Sequence, residues 1–307
     1  MDALSTQNPS CPYCDAASTL LVRTRDFNRK TTDETFCYFQ CTRCALVFLD
    51  PSPTDMASYY EGGYEPIPDT LADLREIASR EKHRLNPILK YKTQGTLLEI
   101  GPWRGVFCCN AKDAGFDVSA IEMDQKCVAF LNETVGVDAM QSYDPAGTLR
   151  KLDRNFDVIA LWHCLEHLPR PWEVVEQSAK RLNPGGLLLV SIPNIGSYEF
   201  SILRERWRHL DAPRHLFFYP KESLVSLCET NGLTKLDLNT CDSISHALAR
   251  DTWHHWSLHK SSNTVLRRIL FRLACEFAHS RERKLQDAGS GMTAVFQLRD
   301  PGNSSSQ

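Results

Sequence analysis

Thr96-Leu-Leu-Glu-Ile-Gly-Pro-Trp-Arg-Gly105 is an apolar run that stops at a glycine-bearing turn, and a helical pattern follows it. Six residues of this kind suit a strand buried on both faces, and the glycines let backbone approach a ligand closely. The exposed amides of the helix N-terminus that follows favour a carboxylate. A second apolar run ends Ser119-Ala-Ile-Glu122-Met123-Asp124, placing an acid about one strand–helix–strand unit after the turn. An acid there can accept the two hydroxyls of a ribose.

Further apolar runs alternate with helical patterns, the signature of a parallel sheet wound with crossover helices. The spacing predicts strands at 96–100, 117–121, 137–140, 156–161, 186–192, 233–239 and 292–298, and helices near 104–114, 124–134, 171–182 and 220–231. This is an α/β fold, a Rossmann-like doubly wound sheet of seven strands. Residues 92–300 form this core, with a mostly helical insertion at 243–286, and residues 301–307 are a polar, disordered tail. Between 51 and 91 lie a tyrosine-rich link (Tyr59, Tyr60, Tyr64) and an amphipathic helix over 70–91 that tolerates Pro87.

A glycine turn with an acid after it also suits a nicotinamide or flavin enzyme. The turn, however, reads Gly-x-x-x-Gly without the full dinucleotide fingerprint. The fourth run decides: Phe156-Asp-Val-Ile-Ala-Leu-Trp-His-Cys-Leu-Glu-His-Leu-Pro-Arg-Pro171, then a helix, then Leu182-Asn-Pro-Gly-Gly-Leu-Leu-Leu-Val190. Strand ends of open α/β sheets carry the ligands, which puts Trp162, His163, Glu166 and His167 in the cleft.

Together these motifs resemble the ubiquinone-biosynthesis-type, methyltransferase-23-like branch of the class I S-adenosylmethionine-dependent methyltransferases. Members carry an acidic strand end before a glycine turn, an acid ending the second strand, a Leu-Glu-His motif before proline, and a Pro-Gly-Gly turn. The resemblance implies that Glu99, Gly101 and Gly105 contact the methionine part of S-adenosyl-L-methionine, Glu122 its ribose and Met123 its adenine. Trp162 and His163 then line the cofactor near the sulfonium. Trp103 stands where the family has its middle glycine.

The amino-terminal stretch carries different chemistry. Cys11-Pro-Tyr-Cys14 and Cys41-Thr-Arg-Cys44 are two knuckle-like pairs, and four thiolates so spaced suit a closed, structural Zn²⁺ site. Residues 1–50 therefore read as a zinc ribbon, with Cys37 outside the paired pattern.

Methyl transfer needs the acceptor positioned and, for a hydroxyl, a proton removed. His167, beside Glu166, and His215, in Leu210-Asp-Ala-Pro-Arg-His-Leu-Phe-Phe-Tyr219, are the candidate bases. Arg204, Arg206, Arg208 and Arg214 concentrate positive charge nearby and suit the phosphate of a carrier-linked acceptor, or else form a solvated basic face.

The net charge of −3 gives no general attraction to nucleic acid or anionic membrane, and residues 1–50 hold five basic residues against six acidic ones. No membrane span or signal sequence is evident, so a cytoplasmic protein with a small-molecule substrate and no membrane partner is expected. The layout of zinc ribbon, tyrosine-rich link and core resembles that of methyltransferases from sugar and natural-product pathways, which implies a sugar or specialised-metabolite intermediate as substrate. A zinc-ribbon rRNA or tRNA base methyltransferase and a non-catalytic scaffold with a degenerate cofactor pocket are the competing readings.

Overall fold

The computed structural model describes residues 8–60, 66–260, 263–285 and 287–299. Tyr64 and the 301–307 tail, both singled out above, lie outside them. The strands are β1 (Ser18–Arg25), β2 (Thr35–Cys41), β3 (Val47–Leu49), β4 (Gly95–Ile100), β5 (Phe116–Glu122), β6 (Asp138–Gln141), β7 (Phe156–Trp162), β8 (Leu182–Pro193), β9 (Phe217–Phe218), β10 (Leu233–Asn239) and β11 (Gly291–Leu298). The helices are α1 (Leu71–Ser79), α2 (Asn86–Leu89), α3 (Val106–Asp113), α4 (Gln125–Phe130), α5 (Pro145–Lys151), α6 (Pro171–Arg181), α7 (Tyr198–Leu203), α8 (Lys221–Thr230), α9 (Ser243–Lys260) and α10 (Thr264–Lys284).

Seven strands make the main sheet, in the order β10-β11-β8-β7-β4-β5-β6. β4 through β8 pair in parallel, and β11 runs antiparallel between β8 and β10. Adjacent residues of the central strands point to opposite faces. Leu98, Ile100, Ile159, Leu161, Leu188 and Val190 belong to one buried cluster, while Leu97, Val158, Ala160, Leu187 and Leu189 belong to the other. With helices over both faces, both sets must be apolar, which is why these strands read as unbroken apolar runs. The chain winds one way from β4 to β6, then returns to continue the other way from β7. The ends of β4 and β7 thus flank a topological switch point, where a ligand crevice opens.

All seven core strands form within a few residues of their expected bounds. The helix expected over 70–91 is instead three pieces. Thr70 caps α1 by accepting from the Asp73 N–H at 3.2 Å, a tight turn follows at Lys82–Leu85, and α2 then begins. Pro87 explains the break: it has no N–H to donate, and its ring would clash with the carbonyl four residues back in a continuous helix. The helix expected near 124–134 likewise ends at Phe130 and closes in a π-helical turn, Leu131–Val135. Leu182 already pairs with Phe156, so β8 takes in the Asn-Pro-Gly-Gly segment read as a turn. Helices α5 and α7 and strand β9 had no counterpart in the sequence reading.

A second sheet, β1-β2-β3-β9, holds the amino-terminal segment. Its last strand comes from far along the chain, with Val47 paired to Phe218 and Phe48 to Phe217. Packing is continuous across residue 50, for Tyr38 and Phe48 share one buried cluster with Ile100 and Leu161.

Candidate active site

Alternate residues of the glycine turn are held in left-handed backbone: Gly101 has φ +73°, Trp103 φ +47° and Gly105 φ +80°. A Cβ on Gly101 would stand 2.6 Å from the Cys164 Sγ, and one on Gly105 2.4 Å from a Leu131 methyl. These two positions therefore need glycine. Trp103 adopts the glycine-like conformation despite its side chain, at a local cost of about 1–2 kcal/mol. Two contacts oppose that cost. Its N–H donates to Glu122 Oε2 at 2.8 Å, and its ring lies under the Arg104 guanidinium at 4.8 Å.

Glu122 ends β5 and also accepts the N–H groups of Met123 (2.7 Å) and Asp124 (3.0 Å). Burial lifts its pKa, and these backbone donors only partly pull it back. Glu99, 2 % exposed at the end of β4, accepts from the Cys108 thiol at 2.9 Å. Burial raises its carboxyl to about 7, with Cys108 and Arg84 partly opposing. Cys108 is accordingly a buried donor whose own pKa is pushed well up, first by burial and then by Glu99.

Trp162 is buried, packs on Phe107 at 5.6 Å, and its Nε1 has no hydrogen-bond partner among the described residues. Over its ring, 5.6 Å away, sits the guanidinium of Arg84, which also pairs with Glu81 at 2.6 Å. The break before Pro87 delivers this arginine to the cleft, and the sequence reading missed it. A crevice with two carboxylates, a cation and an orphaned indole N–H matches a ligand carrying an ammonium, a carboxylate and a diol.

On the other side of the β7 end is a polar cavity of about 440 Å³. The core contributes His163, Glu166, Pro193 and the loop carrying Arg208, His209, Asp211 and His215, while Leu248 and Asp251 come from α9 and Asn28 and Arg29 from the amino-terminal segment. His163, expected on the cofactor, lines this cavity and has φ +49°.

Glu166 is 1 % exposed, and neither carboxylate oxygen has a hydrogen-bond partner among the described residues. The His163 ring lies closest to it, with Nδ1 at 3.5 Å. Burial disfavours its charged form, but His163, His167 and His215 outweigh this and keep it ionised. His167 and His215 meet edge to face at 4.6 Å. Each ring is fixed through Nδ1 near a carbonyl, Arg214 O at 3.0 Å for His167 and His209 O at 2.8 Å for His215. A carbonyl can only accept, so each Nδ1 carries hydrogen, and that of His167 also meets the Tyr60 hydroxyl at 3.0 Å. Burial first, and His167 second, bring His215 down to about 4, so it is neutral at physiological pH. One ligating atom each from Glu166, His167 and His215 lie within 4.8 Å of one another, a cluster able to accept a proton or hold a divalent cation.

Two arginines of the cluster are taken up by protein partners: Arg214, fully buried, donates to Asp26 and Asp211 at 2.8 Å each, and Arg208 bonds Asp251 and Asn28. Arg204 and Arg206 lie over Phe200 and Phe27 and stay exposed, keeping part of the solvated basic face expected of this loop. Trp207, 2 % exposed, is core rather than pocket wall.

The amino-terminal segment holds this loop firmly. Tyr38 on β2 donates to the carbonyls of Leu210 (3.1 Å) and His215 (2.7 Å), and Tyr60 reaches the His167 ring at 3.0 Å. Asp26, which anchors Arg214, also caps the backbone of Arg29 and Thr31. Burial opposes its charge, but Arg214 prevails and lowers it to about 2.

The sulfurs of Cys11, Cys14, Cys41 and Cys44 cluster, with separations of 3.5, 3.6 and 3.7 Å. Zn–S bonds of about 2.3 Å at tetrahedral angles place sulfurs roughly 3.8 Å apart, so the cluster fits such an ion. Backbone N–H groups of Cys44 and Arg43 point at the Cys41 sulfur and, against burial, bring its thiol to about 6. Cys37 lies outside the cluster.

A family model described as a methyltransferase domain (Methyltransf_23) matches residues 71–238, more than half of the chain. The 27-O-demethylrifamycin SV methyltransferase of Amycolatopsis mediterranei (strain S699) is 32 % identical over 128 residues, which are 39 % of this chain and 46 % of that protein. The chain thus spans less than half the length of that relative. A ubiquinone biosynthesis O-methyltransferase of Paraburkholderia phymatum is 28 % identical over 181 residues, covering 51 % of this chain and 75 % of the relative. Among solved structures, an Archaeoglobus fulgidus SAM-dependent methyltransferase superposes with a TM-score of 0.51 at 19 % identity, over 72 % of this chain and 94 % of that one, a likeness of fold. Switch-point cleft, strand order and family match agree: this chain belongs to the Methyltransf_23 family of class I S-adenosylmethionine-dependent methyltransferases.

Proposed function

We propose that the protein transfers the methyl group of S-adenosylmethionine to a hydroxyl of a small polar acceptor, a sugar or specialised-metabolite intermediate. The observation that carries this reading is the 440 Å³ cavity, whose lining residues are polar apart from Pro193 and Leu248 and include Glu166 and His215 after β7. Such a lining satisfies a hydroxyl-rich molecule and would strand a large apolar one.

The bound cofactor supplies a carbon activated by positive sulfur. Glu122 accepts the ribose hydroxyls, Glu99 holds the ammonium and Arg84 the carboxylate, while the glycine turn from Gly101 to Gly105 lets backbone close on the methionine part. Met123 borders the adenine. Trp162 walls the methyl toward the acceptor. With the cofactor bound, the acceptor hydroxyl would give up its proton to the imidazole pair as it takes the methyl group. His215, neutral, would receive its hydrogen bond, with the His167 ring packed edge to face beside it. The four thiolates hold a structural zinc that sets the acceptor wall.

Tritiated S-adenosylmethionine incubated with the protein and a panel of sugars and phenols tests this. Label should enter a small molecule, and His215→Ala and His167→Ala should each lower transfer by about 10²–10⁴-fold without changing affinity for the demethylated cofactor. Label entering only tRNA or rRNA would sink the small-molecule reading.

A further inference from the structure

Val265, Ile269, Leu273 and Phe277 of α10 recur every fourth residue and are 67, 49, 58 and 53 % exposed. Leu266 lies beside them, and Ile202 of the neighbouring α7, 55 % exposed, prolongs the stripe. The opposite face of α10 is already used, for Phe271 packs on His254 of α9 at 5.6 Å and Ala278 is buried. One exposed leucine is ordinary, but a continuous apolar stripe on one helix marks a docking face.

Its rim names the occupant. Among the described side chains α10 carries Arg267, Arg268, Arg272, Arg281 and Lys284 against Glu276, although the whole chain is net negative. The Arg281 guanidinium lies over the Phe277 ring at 5.2 Å, keeping a cation at the edge of the stripe. A second copy matched stripe to stripe would centre midway between Val265 and Phe277. That axis falls within a residue of Arg272, which would then face its own copy. A surface of negative charge has the opposite consequence and neutralises the whole rim.

We propose that the outer face of α10 seats the protein on an anionic lipid bilayer. The helix lies on the surface rather than through it: among the described residues, no helix is long and apolar enough to cross a membrane. The proposal goes beyond the expectation of no membrane partner, which rested on the lack of a spanning segment. Because α9, which carries α10, also lines the polar cavity with Leu248 and Asp251, a seated enzyme meets acceptors near the headgroup layer. The inference does not depend on the acceptor.

Sedimentation of the full chain with vesicles is the test. Vesicles containing phosphatidylglycerol should carry the protein down, pure phosphatidylcholine vesicles should bind about tenfold less, and high salt should release it. Leu273→Asp, and separately the pair Arg268→Glu with Arg272→Glu, should each weaken binding by about tenfold or more. Unchanged affinity for the demethylated cofactor shows that these exposed substitutions leave the fold intact. Equal binding to both vesicle types, or none to either, overturns the proposal. So does a dimer in light scattering that ignores vesicles and that Leu273→Asp converts to monomer.

Discussion

The proposed cofactor side and the proposed acceptor side of the cleft are built by different rules. Glu99, Gly101, Glu122 and Trp162 sit at strand ends or in the turn just after, each within a few residues of a motif, and all fall inside the family match at 71–238. The acceptor wall is assembled from Asn28, Arg29 and Leu248 outside that match and from Arg208 to His215 inside it. Local chemistry fixes the first side and long-range contacts fix the second. Cofactor binding should therefore survive damage that abolishes acceptor binding.

Cys41→Ser gives the largest expected effect. Structural zinc in small peptides contributes about 10–16 kcal/mol, so losing one thiolate should empty the cluster and loosen β1 to β3. Zinc content should drop to background and methyl transfer should vanish, while calorimetry shows affinity for the demethylated cofactor within about threefold of wild type. Collapse of both activities together would break the contrast.

Next in size is Asp26→Ala, which deprives the buried Arg214 of one of its two carboxylates and should cost about 3–5 kcal/mol by urea unfolding. The same pair predicts acid sensitivity. Asp26 has its pKa lowered to about 2 from an ordinary value near 4. Its stabilisation is therefore complete above about pH 4 and is lost as pH falls toward 2, and the variant should lack that part of the acid transition.

Removing the ribose acceptor with Glu122→Gln should weaken cofactor binding by about 10–100-fold, the worth of hydrogen bonds to a charged group. Glu99 then sharpens the comparison through pH. With its carboxyl raised to about 7, affinity for a ligand ammonium should rise about tenfold per pH unit below 7 and level off above, and Glu99→Gln should flatten that profile. Trp103→Gly is the smallest: the backbone already holds the glycine conformation, so affinity should move by less than about threefold.

These expectations mirror what a sequence can reveal. The apolar runs at Thr96, Phe156 and Leu187 announce a sheet covered on both faces because each residue's neighbours on the strand are also buried. Glu99 and Glu122 were legible because strand ends in this topology converge. Arg84 was not, since its position depends on how far Pro87 breaks a helix. Asn28 and Tyr60 were invisible for another reason: they reach the loop at 208–215 and His167 across more than a hundred residues, and nothing in either segment alone encodes the meeting. Both candidate histidines stand in motifs that the sequence displays. The hydrogen on each Nδ1 became visible only with the carbonyls of His209 and Arg214 in place.

The pairing of β3 with β9 also bears on how the protein is made. The first three strands leave the ribosome early, but the strand that covers β3 is Phe217–Phe218, some 170 residues later. At about 5–20 residues per second, that edge waits roughly 10–30 s uncovered. Through that interval the nascent chain displays Val47 and Phe48 with unpaired backbone, a template for wrong partners. A metal ion bound early to the two cysteine knuckles would hold those strands in register until their fourth member arrives.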